Sequence, residues 1–208
     1  VDAGLARPEQ VTIVPNPIEP ADVRAEHHQP ADHLRVAYLG SPEEYKGFRL
    51  VPELIERTAD LPVDWLVFTA QTSTANADTW ERLRALEADG RVELVGKLPD
   101  VRQAYARCDI VVCPSFRDSF CRVAAEAMLN AIPVVGSDLD PIRALLGDDE
   151  AGLIFPRGDV DAAVAAIGRL VGDAELRRRL GAAGPDRAAV FSTSGVVGQL
   201  RSLYGLAA

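Results

Sequence analysis

The 208-residue sequence has almost no lysine: of its 22 Lys and Arg side chains, only Lys46 and Lys97 are lysines. Basic residues are also outnumbered, because 31 acidic residues give a net charge of -9 and an isoelectric point near 4.9. This balance argues against nucleic acid or an anionic membrane as the main partner, since both bind clustered positive charge. Membrane contact is therefore expected only through a part of the protein outside this chain.

Metal-binding patterns are missing as well. The three cysteines, Cys108, Cys113 and Cys121, lack metal-ligand spacing, and we interpret them as reduced core residues. The adjacent pair His27 and His28 has no acidic or Cys partner at a useful spacing, which favours a solvated loop. The sequence predicts no metal and no cofactor.

No apolar run approaches the length of a membrane span, and the N-terminus lacks the basic-then-apolar order of a secretion signal. We therefore expect a cytoplasmic protein. The chain starts at Val1 without an initiator Met, so we also expect it to be part of a longer protein. Its 48% hydrophobic content is enough to bury one sizeable core.

What the sequence does contain is a regular alternation of two patterns. Apolar runs rich in β-branched residues recur, and each is followed by helical periodicity. Runs such as Ile110–Cys113 are apolar throughout, which is typical of a parallel sheet covered on both faces. The sequence therefore predicts a doubly wound α/β fold with about six parallel strands, whose ligands bind beyond the carboxyl ends of the strands.

The predicted elements divide the chain into three parts: a hinge strand and connector over residues 1–33, one ligand-binding domain over 34–191, and a C-terminal helix over 192–208. Strands are predicted at Val11–Pro15, Leu34–Gly40, Val63–Ala70, Arg91–Gly96, Asp109–Pro114, Pro133–Ser137 and Gly152–Phe155. Helices are predicted at Arg49–Ala59, Asp78–Asp89, Val101–Cys108, Arg122–Asn130, Pro141–Leu146 and Val160–Gly172, with two more near the C-terminus.

The segment from Ser115 to Arg122 leaves a buried strand and enters a helix, and it contains Asp118. The unpaired N–H groups of a helix's first turn, together with its dipole, favour an anion at this point. Glu126 lies eight residues after Asp118, about 12 Å or more along a helix, which excludes a close acid–base pair. Spacing alone favours a plainer alternative, in which Asp118 caps the helix and Glu126 is solvated.

The order of the motifs along the chain is more informative about function than the spacing of the two carboxylates. Asp118–Met128, followed by Ile132–Val135, resembles the signature of the retaining family 4 glycosyltransferases of GT-B fold, which reads Glu-Gly-Phe-Gly, then Glu-Ala-Met, then Pro-Val-Val. Val14–Asn16 resembles the family's Pro-Asn-Gly element near its interdomain hinge, and Val36–Gly47 resembles its Gly-Arg-loop-Lys-Gly element. The resemblance spans roughly Val11–Tyr204. It implies a Rossmann-like donor-binding half whose C-terminal helix packs toward an absent, acceptor-binding N-terminal domain.

The resemblance also implies residue roles. Lys46 would hold the diphosphate of a nucleotide-sugar donor, Asp118 would contact the donor sugar, and Glu126 would bind the ribose hydroxyls. From the alternation and the motif order we also expect the acidic loop Arg117–Arg122 at the carboxyl edge of the sheet, with Lys46 facing it across a cleft. The remaining substrate-binding candidates are the backbone N–H groups of Ser119, Phe120 and Cys121, the base-side residues Lys97 and Leu98, and Ser41 and Asn16 in the matched elements.

Three positions depart from the family pattern. Ser41 replaces an Arg and so removes one of two cations, Asp118 is shorter than Glu, and Cys121 replaces a Gly. Arg122, at the start of the helix, is the candidate replacement cation, with a catalytic role on the leaving diphosphate. These departures keep an alternative open, in which the chain is a degenerate glycosyltransferase-like module that binds or scaffolds without catalysis.

Two other functions fit less well. An ordinary dinucleotide-binding domain is ranked last, because no Gly-x-Gly-x-x-Gly loop follows Gly40. Asp138 and Asp140 match a short acidic motif that holds a divalent metal in glycosyltransferases of another fold, but they precede Pro141, where Asp starts turns and caps helices. The resemblance implies a metal-independent, retaining hexosyltransferase, and an isolated domain that barely turns over.

Overall fold

A computed structural model of the chain describes residues 7, 11–18, 32–70 and 76–206. Within them, six strands form one sheet, and all five pairings in that sheet are parallel. The strands are β1 (Leu34–Leu39), β2 (Val63–Phe68), β3 (Val92–Leu94), β4 (Ile110–Cys113), β5 (Val134–Ser137) and β6 (Gly152–Phe155). The predicted fold class and the parallel six-stranded sheet are therefore confirmed.

The strand order is β3-β2-β1-β4-β5-β6, so the direction of winding reverses between β1 and β4. These two strands are hydrogen-bonded neighbours, with Val36 opposite Ile110 and Tyr38 opposite Val112. In doubly wound sheets a crevice opens beyond the carboxyl ends of the strands at such a reversal. The loops that follow Leu39 and Cys113 both reach this crevice.

Helices cover both faces of the sheet, as the fully apolar strands require. Successive strand residues point to opposite faces, so Val36 and Tyr38 belong to one core cluster while Ala37 and Leu39 belong to the other. The helices are α1 (Val51–Arg57), α2 (Ala77–Ala88), α3 (Val101–Tyr105), α4 (Arg122–Leu129), α5 (Asp140–Leu146), α6 (Val160–Gly172), α7 (Ala174–Ala189) and α8 (Thr193–Leu203). Helices α1, α2 and α6 pack on one face, and α3, α4 and α5 on the other.

The predicted hinge strand at Val11–Pro15 is wrong. Residues 11–17 form no helix or strand, and the first pairing in this region is an isolated bridge between Ile18 and Ser192. A strand needs a neighbouring backbone, and β-branched composition alone does not supply one. Most of the predicted connector, including His27 and His28, lies outside the described residues.

Helix α3 is shorter than predicted, since it ends at Tyr105 and the chain turns through residues 106–108 before β4. The predicted Arg49 helix begins with a 3-10 turn at Phe48–Leu50 and becomes α-helical at Val51. Among the helices of the described residues, none has the length and hydropathy needed to cross a bilayer.

The turn after α4 allows a direct test of local strain. Ala131 is exposed and has a φ of +55°, a left-handed conformation that costs a non-glycine residue about 1 kcal/mol or more. We expect Ala131→Gly to raise the free energy of unfolding by about 0.5–1 kcal/mol in a denaturant titration. The control is Ala85→Gly, at an exposed position inside α2, which is expected to lower it by about 1 kcal/mol. A loss of stability in both variants would contradict the strain at Ala131.

Candidate functional site

The loop after β4 places one carboxylate at the reversal point of the sheet. Asp118 has a side chain only 7% exposed, and its Oδ2 lies 2.7 Å from Nζ of Lys46. Its other oxygen, Oδ1, accepts hydrogen bonds from the backbone N–H groups of Cys121 at 2.9 Å and Phe120 at 3.3 Å. Lys46 was expected to face this loop across a cleft, and the structure corrects this to a direct ion pair.

The ion pair shifts the pKa of both partners. Burial acts to raise the pKa of Asp118, but the hydrogen bond from Lys46 and the backbone N–H of Cys121 outweigh it and hold the pKa below its usual value. Burial acts to lower the pKa of Lys46, and the hydrogen bond and charge of Asp118 outweigh it and raise that pKa. The two shifts widen the pH range over which both groups stay charged.

The backbone around Lys46 is held against the acidic loop. The carbonyl of Tyr45 accepts hydrogen bonds from the backbone N–H groups of Phe116 at 2.8 Å and Arg117 at 3.2 Å. Gly47 follows in the left-handed conformation, with a φ of +74°, and a Cβ added there would lie 1.9 Å from the carbonyl oxygen of Pro114. Only glycine fits this close approach, which fixes the position of Lys46 relative to Asp118.

A second carboxylate lies on α4. Glu126 is only 6% exposed, so the interpretation of it as a solvated side chain is wrong. Its Oε2 accepts a 2.8 Å hydrogen bond from the hydroxyl of Tyr105, and its Oε1 lies 3.1 Å from Nε and 3.0 Å from Nη2 of Arg122. Burial, followed by the charge of Glu126, raises the pKa of Tyr105 well above its usual value, so Tyr105 stays neutral and donates.

Two adjoining cavities connect these groups along the carboxyl edge of the sheet. The larger has a volume of about 430 Å³ and includes Glu126 in its lining, and the smaller, of about 70 Å³, is lined by Lys46, Asp118 and Arg122. Both are also lined by Gly40, directly after β1, so they lie side by side, and we call the two together the groove. The size of the larger cavity falls within the range of small-molecule sites.

The structure brings most of the predicted site residues to this groove. Ser41, Lys97 and Leu98 line the larger cavity together with Glu126, and Cys121 lines the smaller one. The N–H groups of Phe120 and Cys121, expected to face a ligand, donate to Asp118 instead. Ser119 is exposed in the same loop, whereas Asn16 is exposed and lines neither cavity.

Tyr105 was missed by sequence reasoning although it lines the larger cavity and contacts Glu126. It is the last residue of α3, where an aromatic residue before a buried strand is an ordinary core position. Its hydroxyl acquires a role only from the packing of α3 against α4.

Cys121 has the strained backbone expected where glycine is replaced, with a φ of +53° at the residue that precedes α4. Its side chain is buried beside Cys113, and the hydrogen bond between them, together with burial, raises the pKa of the Cys113 thiol. Burial raises the pKa of Cys108 to about 12. These shifts favour the protonated thiol.

The acidic motif of Asp138 and Asp140, which lies outside the two cavities, has a structural role. Asp138 accepts a 2.7 Å hydrogen bond from Arg143, and Asp140 is the first residue of α5. Among the described residues, no group of three or more His, Cys, Asp or Glu side chains is arranged to hold a metal ion.

A profile of the family described as "Glycosyl transferases group 1" matches residues 21–187, most of the chain. The D-inositol 3-phosphate glycosyltransferase of Mycobacteroides abscessus is 32% identical over 200 residues, which cover 92% of this chain. The chain belongs to the group 1 glycosyl transferases. It spans only 43% of that relative's length.

Solved structures show which half of such a group 1 glycosyl transferase the chain corresponds to. The C-terminal domain of a group 1 family protein from Francisella tularensis, LpcC, superposes with a TM-score of 0.73 at 18% identity, covering 85% of this chain and 99% of that one. Anabaena HepE, solved in complex with UDP-glucose, superposes with a TM-score of 0.79 at 21% identity, covering 99% of this chain and 60% of HepE. The chain therefore has the fold of a GT-B half and corresponds to the C-terminal domain of the family.

Proposed function

We propose that this chain is the donor-binding half of a retaining glycosyltransferase and binds a nucleoside-diphosphate sugar. The observation that carries the proposal is that two adjoining cavities place Glu126 in one lining and the Lys46–Asp118 pair in the other. A nucleotide-sugar presents hydroxyls, phosphates and a second sugar in that linear order. The groove presents matching groups along its length.

Each part of the donor then has a partner. Glu126 binds the ribose hydroxyls, Lys46 the diphosphate, and Asp118 the donor sugar. Lys97 and Leu98 lie beside the base, which enters the larger cavity. Ser41 and the backbone N–H of Ser119 contact the donor where it reaches them. The backbone N–H groups of Phe120 and Cys121 contact it once the donor releases them from Asp118.

Catalysis in this proposal rests on charge placed before the reaction. As the bond from sugar to diphosphate breaks, negative charge grows on the leaving group, and Lys46, the N-terminus of α4 and Arg122 stabilise it. Transfer with retention then requires no metal ion and no cofactor beyond the donor itself. Asp118 orients the sugar, while its contact with Lys46 holds both groups in place.

The acceptor belongs to the other half of the enzyme in this proposal. An N-terminal domain of the same full-length protein would hold the acceptor against the groove, so the 208-residue chain alone should bind donor and barely turn over. Exposed apolar side chains at the end of α8 support the assignment of residues 192–208 to that contact: Leu203, Tyr204 and Leu206. We retain the cytoplasmic location expected from the sequence and the boundaries of 1–33, 34–191 and 192–208 as proposals.

The proposal is tested by titrating the chain with UDP, GDP, ADP and inorganic phosphate in a calorimeter. UDP leads the series because HepE was solved with UDP-glucose. We expect one diphosphate to bind in a 1:1 ratio and at least tenfold more tightly than free phosphate, because the ribose and base contacts add to the charge contacts. If no nucleotide binds, the scaffolding function, to which the departures at Ser41, Asp118 and Cys121 point, replaces the enzymatic one.

A further inference from the structure

The side chain of Arg122 contacts Glu126, the carboxylate proposed to bind the ribose. Its Nε and Nη2 both lie within 3.1 Å of Oε1 of Glu126. Nε donates a hydrogen bond to Oε1, and Nη2 lies 3.0 Å from the same oxygen, so the guanidinium covers Oε1 and a further donor reaches it only if Arg122 moves. Oε2 already accepts from Tyr105 and has room for about one more.

A ribose has two adjacent hydroxyls to place, and while Arg122 covers Oε1 only Oε2, with room for about one more donor, is open to them. The second hydroxyl therefore has to displace a partner of Glu126. Tyr105 cannot leave easily, because it is completely buried, whereas the side chain of Arg122 is 66% exposed. The partner that ribose displaces is Arg122.

The displaced guanidinium remains next to the predicted diphosphate position. Arg122 is the first residue of α4 and lines the smaller cavity together with Lys46. The nearby Arg117 is directed elsewhere, since its guanidinium carbon lies 5.6 Å from the centre of the Tyr45 ring. Arg122 is thus the arginine that is placed to contact either Glu126 or the donor diphosphate.

We propose that Arg122 exchanges between Glu126 and the donor diphosphate and thereby selects nucleoside diphosphates over nucleosides. A nucleoside breaks the Arg122–Glu126 pair and offers no anion in return. A nucleoside diphosphate breaks the same pair and offers its phosphates to the released guanidinium. Arg122 is a specificity-determining residue in this account, and the account rests on the donor site proposed above.

The test compares UDP with uridine, and GDP with guanosine, on the wild-type chain and on Arg122→Ala. We expect Arg122→Ala to bind uridine about threefold to tenfold more tightly, because Glu126 is no longer occupied. We expect the same variant to bind UDP about threefold to tenfold more weakly, because a phosphate contact is lost. The selectivity for UDP over uridine should therefore fall by about 10- to 100-fold, measured by calorimetry and ligand-observed NMR.

The matched control is Arg178→Ala, which removes an exposed Arg–Glu pair between Arg178 and Glu175 on α7, outside both cavities. It should change neither affinity. Equal weakening of UDP and uridine by Arg122→Ala would overturn the exchange and leave Arg122 as an ordinary contact, and no change in either would leave it as a surface ion pair. Failure of the wild-type chain to bind any of the four ligands would instead overturn the donor site, and the exchange with it.

Discussion

Glu126→Ala is expected to weaken UDP binding by roughly 10- to 100-fold, or about 1.5–3 kcal/mol, because two charge-assisted hydrogen bonds to the ribose are lost in a site shielded from water. Glu126 is 6% exposed, so water does not replace these bonds cheaply. The measurement is calorimetric titration of the wild-type and variant chains with UDP. If the wild-type chain binds GDP but not UDP, the same comparison is made with GDP.

A weaker affinity of Glu126→Ala for UDP does not by itself identify the ribose contact. The substitution also releases Arg122 and leaves the hydroxyl of Tyr105 without its acceptor. The 2′-deoxy form of UDP separates these effects. Wild type should bind it several-fold more weakly than UDP, whereas Glu126→Ala should bind the two almost equally. Glu175→Ala, at an exposed position on α7, is the control and should retain the wild-type preference. A variant of Glu126 that still prefers the ribose form would show that another group binds these hydroxyls.

Gly47→Ala is expected to have the largest effect on stability. The added Cβ would lie 1.9 Å from the carbonyl oxygen of Pro114 and the φ of +74° disfavours any side chain, so we expect the free energy of unfolding to fall by about 2–5 kcal/mol. Pro114 directly follows the buried strand β4 and cannot move away without disturbing the sheet. The measurement is equilibrium unfolding in urea, followed by circular dichroism.

Gly90→Ala provides a control for the backbone conformation alone. Gly90 has nearly the same φ, +72°, but nothing lies within 4 Å of an added Cβ. It should therefore lose only about 1–2 kcal/mol, the cost of a left-handed side chain. If the two variants are equally stable, the loops around Gly47 and Pro114 relax without cost, and the close approach does not fix Lys46.

The sequence predicted the sheet well because its buried strands carry their own signal. The run Ile110–Cys113 is apolar at every position, and such a run is typical of a strand covered on both faces. Val11–Pro15 has a similar composition but pairs with no strand among the described residues, and pairing depends on the tertiary fold. Local composition could not distinguish these two segments.

The sequence predicted the site only in part, because contacts between its residues also depend on the tertiary fold. Lys46 and Asp118 are 72 residues apart in the sequence, and their motifs placed both at the same edge, but not in contact. Arg122 and Glu126 have the i, i+4 spacing of a helical ion pair, a signal visible in the sequence that we assigned only to a phosphate role. Tyr105 had no signal, because its contact with Glu126 depends on how two helices pack.

Because the chain has only two lysines, a reagent that acylates amines can be used to label the groove. Acylating reagents attack the uncharged amine, and Lys46 holds its proton more tightly than usual because Asp118 lies 2.7 Å from it. Lys97, the only other lysine of the chain, is exposed at the rim of the larger cavity. Lys97 is therefore expected to be labelled faster than Lys46, and it lies beside the place where the base is proposed to enter. A dye attached there would report directly on whether the groove is filled.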